Sequence, residues 1–177
     1  MNIFYLDENP KKCAEYHCDK HVVKMIIEYA QLLSTAHRLC DGIESRGSSR
    51  SGKRQVRVWK LDDSRENCLY LASHINHPSN IWTRSSVENY QWLWQLWYNL
   101  CKEYEERYNR THATWIKLAT HLSIPPHNIP EIKATPIPLC MPDEYKTENP
   151  ITAYKTFYLK EKIKFATWKN GVPSWFN

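Results

Sequence analysis

The sequence predicts an all-α fold, a single compact helical domain over residues 1–177 with a short extended N-terminus and a proline-rich loop. Three observations carry that expectation. Glycine is scarce, with 4 in 177 residues, whereas hairpin-rich folds draw on glycine for their primed turns. Apolar residues recur at helical spacing over long stretches. Helix-start signals precede three of those stretches: Asn9-Pro10, Ser85-Ser86-Val87-Glu88 and Asn149-Pro150. A chain of this length can bury a sizeable core.

Taken in order, residues 2–6 read as a short extended segment. Asn9 is placed to cap a helix and Pro10 to open it. One long helix is expected from there to about Leu39, burying Ala14, Val22, Val23, Ile26, Ile27, Ala30, Leu33 and Ala36. Residues 42–57, rich in Gly, Ser and Arg, read as a loop. It is either a solvated connector or a flexible arm gripping phosphates through Arg46, Arg50, Lys53, Arg54 and Arg57. Asp62-Asp63-Ser64 opens a helix to about His74, and Asn76-His77-Pro78 makes a turn. Ser85 and Glu88 have capping-box spacing, starting a helix to about Tyr108 that buries Trp92, Leu93, Leu96, Trp97 and Leu100. A short helix follows over 113–122. The prolines between 124 and 142 read as a surface loop. The last helix runs from Asn149-Pro150 to about Trp168, with Gly171 beyond it and an aromatic tail. Trp94, off the buried stripe of its helix, and Trp175, in the tail, are the tryptophans expected to meet a ligand or partner.

Composition narrows the function classes. The mean hydropathy is −0.67, and no run of apolar residues has membrane-spanning length. The N-terminus lacks the features of a secretory signal. A cytoplasmic location is therefore expected, with the six cysteines as reduced thiols. The formal charge of +5 permits an acidic partner such as nucleic acid.

The most unusual pattern lies near the start. His17, His21, Lys24, Glu28, Gln31 and Thr35 recur at spacings that place them on one helical face. Such a stripe is either a solvated helix face or a chemical site holding an acid, an imidazole and an amine together. His17 and His21, four apart, suit either a shared metal or two hydrogen-bonded packing residues. No H-E-x-x-H or CxxC pattern accompanies them, and no metal or cofactor is expected.

The segment Asp19-Lys20-His21-Val22-Val23-Lys24-Met25-Ile26-Ile27-Glu28 resembles the opening helix of the pyrimidine-dimer DNA glycosylases. Asp19, His21 and Glu28 match the phage type. Lys20, Lys24 and Glu28, followed by Gln31 and Leu33, match the bacterial branch. Asn76-His77-Pro78-Ser79-Asn80-Ile81-Trp82, the aromatic helix after it and Pro173-Ser174-Trp175-Phe176 are similar to that branch in the same order. About half of the chain is covered.

The resemblance implies an all-α DNA-acting enzyme, a glycosylase with or without lyase activity, working as a monomer on double-stranded DNA at damaged or modified pyrimidines. In that family an N-terminal α-amine attacks the sugar C1′, a glutamate on the first helix assists, and the Schiff base allows strand cleavage. By matched position the glutamate is Glu28. The nucleophile is the amine of Met1 or Asn2, or that of Lys24; the family's small second residue is replaced here by the larger Asn2. His17, His21, Gln31, His77 and Arg84 join the five basic residues of the 46–57 segment as expected substrate contacts. Glu28 is expected on the wall of the main cleft, near the chain start. The competing readings are another base-modifying enzyme on the same scaffold, a non-catalytic DNA-binding or interaction protein, and a metal-dependent hydrolase using His17 and His21.

Overall fold

The computed structural model describes residues 2–49 and 51–176. Helices dominate, but the fold is mixed rather than all-α. In order come α1 (Pro10–Glu15), α2 (Asp19–Asp41), β1 (Ile43–Ser48), β2 (Gln55–Lys60), α3 (Pro78–Ser85), α4 (Val87–Tyr108), α5 (Ala113–Leu122) and α6 (Pro150–Lys162). Helices α2 and α4 are the long central pair; α1 packs on α4, while α3 and α5 pack on α2. Their shared core holds Met25, Ile26, Leu33, Leu93, Leu96 and Trp97, all essentially inaccessible. The Trp97 indole N–H reaches the Ile26 carbonyl at 2.9 Å and fixes the register between the two helices. Among the described residues no helix is long and apolar enough to cross a membrane. All six cysteines are unpaired.

The antiparallel β1–β2 hairpin overturns both the all-α expectation and the reading of 42–57 as a loop. Val56, Val58 and Trp59 give β2 the β-branched and aromatic character that favours a pleated surface. Strand β1, Ile-Glu-Ser-Arg-Gly-Ser, has no such signature and forms because β2 pairs with it, Ile43 opposite Lys60 and Ser48 opposite Gln55. Ser49 N–H closes on the Arg54 carbonyl at 2.8 Å, and Gly52 at φ +70° turns the chain between them. Gly42 links α2 to β1 so tightly that a Cβ there would collide with the Arg38 carbonyl.

The expected long first helix is two helices. Asn9 caps α1 as predicted, its side chain accepting from Lys11 and Lys12 N–H. The chain then breaks at Tyr16–Cys18. The Arg107 guanidinium on α4 donates to the carbonyls of Glu15 (3.1 Å) and His17 (2.8 Å), satisfying groups that a continuous helix would have used internally. The helix expected after Asp63 shrinks to a single 3-10 turn, Ser64–Asn67, and α6 stops at Lys162, short of Trp168. Ser86 caps α4, but Glu88 does not complete a capping box; its carboxylate takes the Ala134 N–H at 2.8 Å instead. Trp94 and Trp175 are both half-buried against the core rather than projecting from it.

Candidate active site

The polar stripe divides according to what covers it. His17 lies outside α2, in the break before it. The ring is completely buried, with Nδ1 at 2.7 Å from the Cys13 carbonyl and Nε2 at 2.9 Å from the Tyr29 hydroxyl. A carbonyl only accepts, so Nδ1 carries the proton and Nε2 receives that of Tyr29. Burial pushes the His17 pKa down to about 4. His21 is buried beneath α6, stacked on Phe4 at 4.6 Å, with Nδ1 at 2.7 Å from the Tyr158 hydroxyl. Burial first, then the neighbouring His17 and the ammonium charges of Lys162, Lys24 and Lys20, push its pKa down to about 3. At the other end of the stripe Thr35 is buried and accepts the Ser73 N–H at 3.3 Å. His17, His21 and Thr35 therefore serve packing.

Between the covered ends, Lys24, Glu28 and Gln31 remain accessible to differing degrees. Lys24 Nζ lies 3.2 Å from Glu28 Oε1 across one helical turn; the lysine side chain is 63% exposed and the glutamate 18%. Glu28 is thus mostly enclosed, and Lys24 forms its outer edge. His77, from the loop leading into α3, lies near enough for the Glu28 carboxylate to act on it. Burial lowers the His77 pKa while Glu28 pulls it the other way. His77 Nδ1 also caps α3, accepting the Ser79 N–H at 3.2 Å.

The N-terminal segment is fixed beside this group. Phe4 donates its backbone N–H to the Tyr29 hydroxyl at 3.1 Å, on the residue next to Glu28. The Asn2 side chain donates to the Cys140 carbonyl at 2.8 Å and lies 3.1 Å from the Tyr154 hydroxyl. Cys140 Sγ in turn lies 3.5 Å from Ser79 Oγ at the start of α3. The start of the chain, the proline-rich loop, α3 and α6 are in this way tied together around one stretch of α2. Sequence reasoning missed Cys140 and Tyr154, which carry no local motif. Met1 and Arg50, both expected at the site, lie outside the described residues.

The remaining expected contacts are not gathered here. Arg84 bonds Asn80 at 3.1 Å and senses Cys40, which at 1.5 Å per residue stands roughly 18 Å along α2 from Glu28. Arg46, Lys53, Arg54 and Arg57 are exposed on the hairpin, which leaves α2 at that same far end. Arg57 is engaged by Glu44 through two hydrogen bonds, 2.6 and 2.8 Å, and its guanidinium lies 4.9 Å from the Trp59 ring. Two cavities of about 330 Å³ are present, one around Trp82 and Trp92, the other around His37, Arg65 and His127. Glu28 lines neither of these two.

No protein-family model, no curated protein and no solved structure matches the chain.

Proposed function

We propose that this protein is a DNA-acting base-excision enzyme, a glycosylase with or without lyase activity, whose chemistry is centred on Glu28. The observation that carries the reading is the placing of Glu28: a largely enclosed carboxylate, paired with Lys24, whose charge reaches His77, and one residue before Tyr29, to which the N-terminal segment is fastened. An amine at the start of the chain attacks C1′ of the target nucleotide, and the bond from C1′ to the base breaks as the base leaves with a proton. Glu28 stabilises the positive charge developing at the sugar. It then removes a C2′ proton from the Schiff base so that the 3′ phosphate departs. An α-amine suits the first step because its ordinary pKa, about 7.7–8.0, leaves a useful neutral fraction near neutral pH. Lys20, Lys24 and Lys162, whose charges converge on His21, supply positive potential next to Glu28 for the DNA backbone.

The test is borohydride trapping on duplexes carrying an abasic site and on a panel of damaged and modified pyrimidines. A covalent protein–DNA adduct is expected. Glu28→Gln should lower product formation by at least about 10²-fold while leaving duplex binding within a few-fold. Tight binding by the unmutated protein with no product on any substrate would make it a binding module. Neither binding nor product would overturn the reading.

A further inference from the structure

A second candidate site lies away from Glu28, under the proline-rich loop, and its argument is independent of the proposed enzymatic role. Tyr5, Trp82 and Trp92 line a cavity of about 330 Å³, with Pro136 and Ile137 across from them and Glu88 beside them. The two indoles meet nearly at right angles, 79° at 6.1 Å between ring centroids, and Tyr5 lies 4.7 Å from Trp92. The three rings are packed on one another and together form one aromatic wall of the space.

Hydrogen bonds hold the cavity wall together. The Trp82 indole donates to the Thr135 carbonyl at 2.9 Å. Asn89 both accepts the Thr135 N–H, at 3.0 Å, and donates to its hydroxyl, at 2.8 Å. Glu88 holds Ala134 through one carboxylate oxygen at 2.8 Å. The Trp92 indole N–H is spent on the Glu8 carbonyl, 2.8 Å away. The indoles thus offer a ligand their π systems and no free donor, and the charge at the cavity is the negative one of Glu88.

The geometry points to a binding site for an organic ammonium group, an alkylated amine seated against Tyr5, Trp82 and Trp92 with Glu88 as its counter-charge. Aromatic faces carry negative quadrupole potential and attract such cations, most strongly where water is excluded. An anion would be repelled by Glu88. Elsewhere in this protein lysines and arginines lie over nine aromatic rings, including Phe165, Tyr16 and Trp175. Among the described residues none of those contacts falls on Tyr5, Trp82 or Trp92, so the protein's own cations leave this acid-flanked aromatic group for a ligand.

Choline and its uncharged carbon isostere, 3,3-dimethyl-1-butanol, share shape and differ in charge. Each is titrated at constant ionic strength, with tryptophan fluorescence and indole N–H NMR shifts as readouts. Saturable choline binding is expected, roughly tenfold tighter than the isostere, a difference equivalent to about 1.4 kcal/mol. Glu88→Gln, which retains an acceptor for Ala134, should remove most of that preference, and Trp92→Leu should weaken choline binding by a similar factor. Equal affinity for both compounds would show an apolar groove without cation recognition and overturn the proposal, as would the absence of saturable choline binding. The comparison on the unmutated protein decides the matter even if a variant fails to fold.

Discussion

The Tyr29 hydroxyl donates to His17 Nε2 at 2.9 Å and accepts the Phe4 backbone N–H at 3.1 Å. One side chain of α2 thereby orients a buried imidazole and fastens the start of the chain. Tyr29→Phe keeps the ring and removes both bonds, leaving a buried nitrogen and a buried N–H unsatisfied. A loss of about 1–3 kcal/mol per stranded group is expected, measurable as a lowered urea midpoint with an unchanged slope.

Three buried histidines set the acid limit of the fold. Burial lowers the pKa of His17 to about 4, of His21 to about 3 and of His37 to about 4. In the unfolded chain each returns to its ordinary value near 6.5. Below that pH the unfolded state binds protons that the folded state refuses, so stability is complete above about pH 6.5 and declines as the pH falls toward 4. At about 1.36 kcal/mol per proton per pH unit, the combined slope approaches roughly 4 kcal/mol per unit in that window. Urea titrations at pH 7.5, 6 and 5 should show the decline well before carboxylates titrate. Constant stability down to pH 4.5 would contradict neutral, buried imidazoles.

Where local chemistry decides, the sequence is an accurate guide. Asn9 and Asn149 cap the helices they were expected to cap, while the cap of α4 falls on Ser86, one residue after the expected Ser85; α4 ends at Tyr108 because Asn109 adopts φ +51°. The spacing of Lys24 and Glu28 likewise puts them on one face of α2, where they form an ion pair. Distant partners decide the rest. No Pro or Gly lies between Lys11 and His21, so nothing local announces the break before α2. It is held by Arg107 and by the Tyr158 hydroxyl, which takes the Cys18 N–H at 3.0 Å. Strand β1 has the composition of a loop and owes its form to β2. The Asn2–Cys140 contact spans nearly the whole chain and leaves no periodic trace.

Arg38 is a second long-range organiser, and its pattern of donors makes a sharp prediction. The side chain is buried, and its guanidinium donates to the carbonyls of Trp59, Glu66, Leu69 and Tyr70 and to the Glu66 carboxylate. It joins α2 to the hairpin and to the segment leading toward α3. Arg38→Met strands those acceptors and leaves Glu66 with the Leu61 N–H but without its cationic partner. A cost of about 3–5 kcal/mol is expected. Arg38→Lys should recover little of it, because an ammonium cannot reproduce a planar fork of donors. Thermal unfolding of the two variants provides the check.

The last prediction concerns which basic residues meet a DNA backbone. The hairpin carries more positive residues than any comparable stretch, yet Arg57 is already bonded to Glu44, and the strands leave α2 at the end remote from Glu28. Lys20, Lys24 and Lys162 instead all act on His21, about two turns of α2 from the glutamate, with Lys24 itself paired with Glu28. Each phosphate neutralised on duplex DNA contributes roughly 0.9 to the slope of log K against log salt. Changing the three lysines together to glutamine should reduce that slope by roughly 2–3 and lower product formation with it. Changing Arg46, Lys53 and Arg54 on the hairpin should reduce the slope less and leave turnover at saturating DNA unaltered. The opposite ranking would move the DNA-contacting surface to the hairpin and separate it from Glu28. Glu28 could then no longer be the centre of a DNA reaction, even though its ion pair with Lys24 would stand.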